Sequence, residues 1–197
     1  VPLNTRLPNP EGKGGVTMLD LLVNSLRMRP DRILVGEIRR KKEAEVLLEA
    51  MHTGHSVYAT IHANNADEVI TRLTNPPIDI PKPMISSLSL IIVQNRNRRT
   101  GKRRTLQVAE VLPNGDPNTL LQLNVKDDML EKVKDSKTVI KRLELYTGMT
   151  KEEIEDDLRK KMRILSWMVK TGVEGIDNIG QTMTKYYMDK LDIDSQL

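Results

Sequence analysis

The pattern of apolar and polar positions predicts alternating helices and strands in the first third of the chain. An apolar period of 3.6 residues begins after Thr17 and predicts a helix that Pro30 stops. Residues 33–35 form a short, uniformly apolar run, which predicts a strand in a sheet that is covered on both faces. A helix is predicted at residues 43–52 and the next strand at residues 57–61. This β-α-β alternation indicates a parallel sheet.

The rest of the chain is predicted to hold one more short helix, a hairpin and a helical end. The helix is expected at residues 66–73. Two strands at residues 88–93 and 106–112 are joined by a basic turn, which predicts the hairpin. From Asp127 onward, charged residues stand at helical spacing, and the last helix is predicted at residues 177–191.

A capping box predicts the start of a long helix in the last quarter of the chain. The box is Thr150-Lys151-Glu152-Glu153, in which the side chains of the first and last residues satisfy each other's backbone N–H groups. Thr171-Gly172 is expected to end this helix. Its apolar residues at helical spacing form one predicted stripe: Ile154, Leu158, Met162, Leu165 and Val169.

The composition is that of an ordinary globular protein without disulfides. The 197 residues are 38% hydrophobic and 29% charged, with ten Met, no Phe and no Cys, which favours an aliphatic core and excludes thiolate metal sites. The longest apolar block, residues 88–93, is too short to span a bilayer, and no signal-peptide pattern is present. The net charge of +4 arises mainly from residues 96–104, a basic cluster without interleaved aromatic residues, which disfavours single-stranded nucleic-acid binding.

Polar residues follow the two predicted parallel strands. Glu37 comes after the first strand and His62 after the second, and ligands of open parallel sheets collect beyond these strand ends. We therefore expect both side chains at one rim of the sheet. All three histidines, His52, His55 and His62, fall within eleven residues. A zinc site is disfavoured because no Cys and no well-spaced fourth ligand accompany them.

Several short motifs occur in the order and spacing of one known family. They are Arg29-Pro30-Asp31, Gly36-Glu37-Ile38-Arg39, Thr53-Gly54-His55, Ala59-Thr60 with His62-Ala63-Asn64, and Arg72-Leu73. Together they resemble the Walker B and histidine boxes of the secretion and pilus ATPases, which serve type II secretion, type IV pili and the archaellum. The resemblance covers about residues 17–112, and the charged helical end is more similar to the archaeal branch.

The resemblance implies a fold class and a domain organisation. We expect an α/β protein with part of a RecA-like P-loop ATPase core, a β-hairpin extension and a C-terminal helical region. Residues 1–16 are expected to be a loop or extended segment, residues 17–124 the C-terminal part of the ATPase core, and residues 125–197 the helical region.

The resemblance also implies roles for individual residues. Glu37 is expected to orient the water that attacks the γ-phosphate of ATP and to help order Mg²⁺ through water. His62 is expected to sense the γ-phosphate, and Arg39 to contact it across a subunit boundary. Further candidate nucleotide contacts are His55, Thr60 and Arg72. Arg6, Arg27 and Arg29 are candidates on proximity alone and not on the resemblance. The alternative for each of these residues is an ordinary structural or solvated position.

The phosphate-binding loop of that family, G-x-x-x-x-G-K-[ST], is missing from the sequence. Gly12-Lys13-Gly14-Gly15 lacks the spaced first glycine and the hydroxyl, and Gly101-Lys102 is followed by Arg103. In the family this loop precedes the Walker B strand. The sequence, which opens on Val1, is therefore expected to be the C-terminal portion of a longer ATPase, and the isolated portion is expected to be inactive.

The resemblance further implies partners and a location. It implies a hexameric ring of identical chains at the cytoplasmic face of the membrane, acting on a membrane-embedded platform protein, with no specific nucleic-acid partner. Two alternatives remain open at this point: a non-catalytic partner-binding module, and a DNA-translocating relative of the conjugation ATPases.

Overall fold

The computed structural model describes residues 1–188 as a mixed α/β protein. The contacts divide the chain into two compact units, Val1–Val139 and a second that begins at Ile140. The first unit holds α1 (Met18–Arg27), β1 (Arg32–Val35), α2 (Lys41–His52), β2 (Ser56–Ala59), α3 (Ala66–Thr74), α4 (Lys82–Ile85), β3 (Leu90–Arg96), β4 (Arg103–Val111), β5 (Pro117–Asn124) and β6 (Met129–Lys132). After it come α5 (Val139–Thr147), which begins on the last residue of the first unit, α6 (Lys151–Thr171) and α7 (Ile176–Tyr187).

The strands β1 and β2 form the predicted parallel pair. Their register joins Arg32 to Ser56 and Val35 to Ala59, and α2 makes the crossover between them. A core of Leu22, Ile33, Val35, Leu47 and Ala50 packs α1 and α2 against the inner face of this pair.

The outer face of the parallel pair differs from the expectation. Leu34 and Tyr58, which are partners in the register, are 78% and 58% exposed. The prediction that the sheet is covered on both faces is therefore wrong for the part of the chain that the structure describes.

The second sheet is an antiparallel meander in the order β3-β4-β5-β6. The predicted hairpin is confirmed as β3 and β4, and α3 packs against this sheet through a core that includes Leu73, Ile91 and Ala109. At the tip of the hairpin, Arg104 makes a bidentate ion pair with Asp128, with N–O distances of 2.7 and 2.6 Å.

Strand β6, the last of the meander, corrects the predicted helical character from residue 127 onward. Strand β6 pairs with β5 through a tight turn. Asn124 builds this turn, because its Oδ1 accepts from the backbone N–H of Lys126 at 3.0 Å and its Nδ2 donates to Asp127 and Glu131. Asp128 closes the turn with a φ of 54°. Side-chain hydrogen bonds of this kind compete with helix formation, which explains the difference.

In the second unit, α6 begins at the predicted capping box, and Gly172 ends it in the left-handed conformation. The predicted apolar stripe is not its buried face. Only Ile154 of that stripe is buried, and the other buried residues are Ile164 and Met168. The predicted last helix appears as α7, and its predicted end at residues 189–191 lies outside the described residues. Within residues 1–188, no helix is long and apolar enough to cross a membrane.

Glu110 is a fully buried carboxylate on β4. Its oxygens accept hydrogen bonds from several neutral donors: the Nδ2 of Asn118, the hydroxyls of Ser136 and Thr138, and the backbone N–H groups of Lys137, Thr138 and Val139, at 2.6–3.1 Å. Burial acts to raise the pKa of Glu110, but these donors outweigh it and hold the pKa well below its ordinary value. The carboxylate thus fixes the segment that leads into α5.

We expect Glu110→Gln to lower the free energy of unfolding by about 1–3 kcal/mol near pH 7, because an amide NH₂ group cannot accept from buried N–H donors. The folded-state pKa of Glu110 lies below the ordinary value of 4.5, so its stabilisation is complete above that value and is lost as the pH falls below it. The difference between the two proteins should therefore shrink toward about pH 3. Urea denaturation at both pH values measures it.

The matched control is Glu49→Gln, on an exposed position of α2. This change should alter the free energy of unfolding by less than about 0.5 kcal/mol at either pH. Equal losses in the two variants would show that Glu110 has no special structural role.

Candidate active site

The carboxyl ends of β1 and β2 are joined by two hydrogen bonds. The Thr60 hydroxyl donates to the carbonyl oxygen of Gly36, and the backbone N–H of Ile38 donates to the carbonyl oxygen of Thr60 at 2.9 Å. These bonds fix the residues on either side of Glu37 to the chain just before His62. The parallel register therefore places both predicted catalytic side chains at the same rim, as the sequence suggests.

Glu37 contacts both Arg39 and His62. One carboxylate oxygen, Oε2, lies 2.7 Å from the Nε of Arg39 and 2.6 Å from its Nη2. The other oxygen, Oε1, lies 3.4 Å from the Nε2 of His62. The Glu37 side chain is 23% exposed and that of His62 is 85% exposed, so solvent reaches this pair.

The partners of Glu37 favour its ionised form. The hydrogen bond from Arg39 is the main cause that lowers the pKa of Glu37, and the charges of Arg39 and His62 add to it. The same contact raises the pKa of Arg39. Glu37 is thus an ionised, accessible carboxylate with one oxygen engaged by a guanidinium and the other turned toward an imidazole.

Glu43 is a residue of this region that the sequence reasoning missed. Its Oε2 accepts from the backbone N–H groups of Arg39 and Arg40, at 3.1 and 3.2 Å, at the start of α2. It thereby fixes the chain directly after Glu37. The available signal was the acidic residue in the first turn of α2, a position that favours contacts with free backbone N–H groups.

Arg72 is connected to the His62 loop through Glu68. The Nε of Arg72 lies 2.9 Å from Oε1 of Glu68, whose Oε2 accepts from the backbone N–H and Nδ2 of Asn64 at 2.8 and 2.7 Å. These hydrogen bonds lower the pKa of Glu68, and the bond from the Asn64 backbone N–H has the largest effect. Arg72 therefore supports the loop, and its predicted contact with nucleotide stays a prediction.

The structure places His55 at the other end of β2. His55 precedes Ser56, so about 13 Å of strand separates it from the rim that carries Glu37. Its Nδ1 lies 3.3 Å from the carbonyl oxygen of Ala50 and from the Thr53 hydroxyl, at the end of α2.

Arg29 also lies away from the Glu37 rim, and Arg6 has its hydrogen bonds elsewhere. Arg29 stands before β1, at the same end of the sheet as His55, with a φ of 49°. Arg6 lies in the N-terminal segment, where its Nε donates a hydrogen bond to the carbonyl oxygen of Gly14 at 2.7 Å. Within residues 1–188 the structure thus brings together Glu37, Arg39, Thr60 and His62, and leaves His55, Arg29 and Arg6 outside the group.

The donor set at this rim suits Mg²⁺ held through water and not a metal held by protein alone. Mg²⁺ retains several waters and is bound by one or two carboxylates together with substrate phosphates, and Glu37 offers one carboxylate. No group of three His, Cys, Asp or Glu side chains that could hold a metal ion occurs in the described part of the chain. The distribution of His55 and His62 over opposite ends of β2 agrees with this finding.

Comparison with known proteins identifies relatives of this chain. The family described as Type II/IV secretion system protein matches residues 3–169. An uncharacterized protein of Methanocaldococcus jannaschii is 35% identical over 164 residues, which are 79% of this chain and 60% of that protein. The type IV pilus assembly ATPase PilB of Thermus thermophilus is 35% identical over 150 residues, 75% of this chain and 14% of the relative.

A solved structure, that of the Legionella pneumophila ATPase DotB, matches with a TM-score of 0.42 and 26% identity, over 49% of this chain and 28% of DotB. The chain spans 60% of the length of the Methanocaldococcus relative and a much smaller part of PilB. The family match extends over most of the sequence and includes the rim that carries Glu37 and His62. The chain belongs to the type II/IV secretion system protein family.

Proposed function

We propose that this chain provides the water-activating part of an ATPase motor for secretion or for the assembly of pilus-like filaments. The observation that carries the proposal is the Glu37 carboxylate, held ionised by Arg39 and adjacent to His62 where two parallel strands end. Family membership supports the same reaction class. ATP is the proposed substrate, and Mg²⁺ supplies charge neutralisation at its phosphates.

In this proposal Glu37 orients the attacking water. A carboxylate that is accessible and remains ionised can accept a hydrogen bond from water and keep its oxygen directed at the γ-phosphate. The contact with Arg39 orients the Glu37 carboxylate and favours its ionised form, and Glu43 holds the backbone that follows Glu37. Arg39 thus acts on the reaction through Glu37, in addition to the proposed contact with phosphate across a subunit boundary.

His62 is proposed as the sensor of the γ-phosphate. Its ring is exposed and lies next to Glu37, so it can donate to a phosphate oxygen that occupies the rim. The hydrogen bond from Thr60 to Gly36 connects the loop that carries His62 with the loop that carries Glu37. A shift of His62 on loss of the γ-phosphate would therefore be transmitted to the end of β1.

The main binding contacts with the triphosphate of ATP are proposed to come from a segment outside this sequence. The 197 residues contain no G-x-x-x-x-G-K-[ST] loop. The outer face of the parallel pair, with Leu34 and Tyr58 exposed, is suited to packing by further elements of a larger sheet domain. Both observations support the proposal that this chain is the C-terminal portion of a longer ATPase.

The proposed assembly is a hexameric ring at the cytoplasmic face of the membrane, which drives a platform protein of a secretion, pilus or archaellum machine. Ring contacts would bring arginines of one chain to the nucleotide of the next, where a guanidinium stabilises charge on the transferred phosphoryl group. Arg72, Arg6 and Arg29 are the proposed candidates for these contacts, together with Arg39. Thr60, which follows β2, is proposed to support the nucleotide site through its hydrogen bond to Gly36. His55 precedes β2 and stands apart from the Glu37 rim, so a nucleotide contact of His55 is proposed only for a separate part of the assembled site.

We expect Glu37→Gln, made in a longer protein that contains this chain and a phosphate loop, to retain ATP binding and to lose hydrolysis. Removal of the water-orienting carboxylate should lower the rate by about 10² or more, while ground-state contacts with the phosphates persist. Single-turnover hydrolysis and nucleotide titration measure the two properties. Glu49→Gln serves as control and should hydrolyse ATP normally, and a Glu37→Gln variant with near wild-type turnover would refute the assignment.

The role of His62 is tested by comparison with His52, at the end of α2. In the same longer protein, His62→Ala should reduce turnover and weaken the discrimination between ATP and ADP, because the donor to the γ-phosphate is lost. His52→Ala should change neither. Competition titrations with both nucleotides measure the discrimination, and equal effects of the two substitutions would assign His62 a structural role.

The 197-residue chain itself should show no ATP binding at micromolar concentration and no ATPase activity. Charge-assisted contacts with a phosphate loop contribute about 1.5–3 kcal/mol each, and every 1.4 kcal/mol changes the affinity about tenfold, so the loss of several contacts removes measurable binding. Calorimetric titration with Mg-ATP is the direct test, and the longer protein is the positive control. Tight stoichiometric binding would place the phosphate site within residues 1–197.

A further inference from the structure

The long helix α6 carries an exposed apolar stripe. Leu158, Met162, Leu165 and Val169 are 50%, 62%, 55% and 83% exposed, whereas Ile164 and Met168 on another side of the helix, and Ile154 one turn before Leu158, are buried. Exposed aliphatic residues are ordinary when scattered singly, but a continuous row along one helix indicates an interaction surface.

The spacing of the stripe is that of a coiled-coil seam. Its members are separated by four, three and four residues, which is the alternation of the two apolar positions in a heptad repeat. Such a seam accepts a partner helix with the same spacing. The stripe spans residues 158–169 of α6, which gives slightly less than two heptads of contact.

The stripe is also symmetric about its own centre. Leu158 and Val169 are equally distant from the midpoint between residues 163 and 164, and so are Met162 and Leu165. If a second copy of α6 runs antiparallel to the first, Leu158 faces Val169 of the copy and Met162 faces its Leu165. A large and a smaller apolar residue then meet in each of the outer layers.

The charges of α6 favour the antiparallel direction. Residues 151–157 carry five acidic residues and one Lys, whereas residues 158–171 carry five basic residues and no acidic one. An antiparallel copy places the acidic end of each helix beside the basic end of the other. The N-terminal end of each helix dipole then lies beside the C-terminal end of the other, which is favourable. A parallel pair would place like charges together at both ends.

We propose that α6 is a self-association surface through which two copies of this chain pair in an antiparallel, twofold arrangement. A twofold contact uses the same surface on both copies, whereas a closed ring of six uses two different surfaces, so the α6 contact is separate from the proposed ring and would join chains that belong to different rings. Two heptads make a small interface, and we therefore expect a weak contact that operates at high local concentration.

Disulfide trapping tests the arrangement, because the chain contains no Cys. Leu158→Cys and Val169→Cys are made in separate preparations of the 197-residue chain, oxidised singly and then as a mixture. In the antiparallel pair, position 158 lies against position 169 of the copy, while two copies of position 158 are about 16 Å apart along the helices, too far for a disulfide. We expect a crosslinked dimer from the mixture and none from either variant alone.

The matched control mixes Leu145→Cys with Val169→Cys, since Leu145 is 77% exposed on α5 and outside the stripe. This mixture should give no crosslink. Crosslinking of each stripe variant with itself would indicate a parallel pair and overturn the proposal. Absence of crosslinks in all mixtures would mean that another partner covers the stripe, which also overturns it.

Sedimentation of the chain without added cysteines gives an independent readout. Leu165→Glu should abolish the concentration-dependent increase in mass, because it places a carboxylate in a central layer of the seam, while Leu145→Glu should leave that increase unchanged. Circular dichroism confirms that both variants keep their helices. This result does not depend on ATP binding, so its failure is distinguishable from failure of the proposed motor function.

Discussion

The parallel pairing of β1 with β2 is the constraint on which the candidate site depends. It orients two strand ends toward one rim, and the hydrogen bond from Thr60 to Gly36 then ties the loops that follow them. Glu37 and His62 are 25 residues apart in the chain, yet they contact because each is the second or third residue after its strand. A change of register by one residue would turn the side chains of one strand to the opposite face of the sheet and displace the two loops relative to each other.

The structure keeps two carboxylates ionised by different physical means. Glu37 is solvent-accessible and keeps its charge through a guanidinium, which leaves lone pairs available for water. Glu110 is fully buried and keeps its charge through neutral donors that occupy both oxygens. The first arrangement suits a residue that must exchange partners during a reaction. The second suits a fixed structural contact, because breaking it would leave a buried charge without hydrogen-bond partners.

The sequence contained enough information to predict the rim but not its internal contacts. Strand ends and helix starts follow from local patterns, so the β-α-β unit and the positions of Glu37 and His62 were predictable. The pairing of Arg39 with Glu37 depends on rotamers and on the backbone fixed by Glu43, which no periodicity encodes. Strand β6 was missed for a related reason: Asn124 closes its turn through side-chain hydrogen bonds.

The helix α6 shows the limit of periodicity in another way. Its sequence supports two apolar stripes, one through Ile164 and Met168 and one through Leu158 and Leu165, and the hydrophobic period alone does not tell which is buried within the chain. A helix that needed only to pack inside its own unit would gain solubility from polar residues on its second face. The retention of a second stripe with heptad spacing and a segregated charge pattern is therefore better explained by a contact between chains than by folding of one chain.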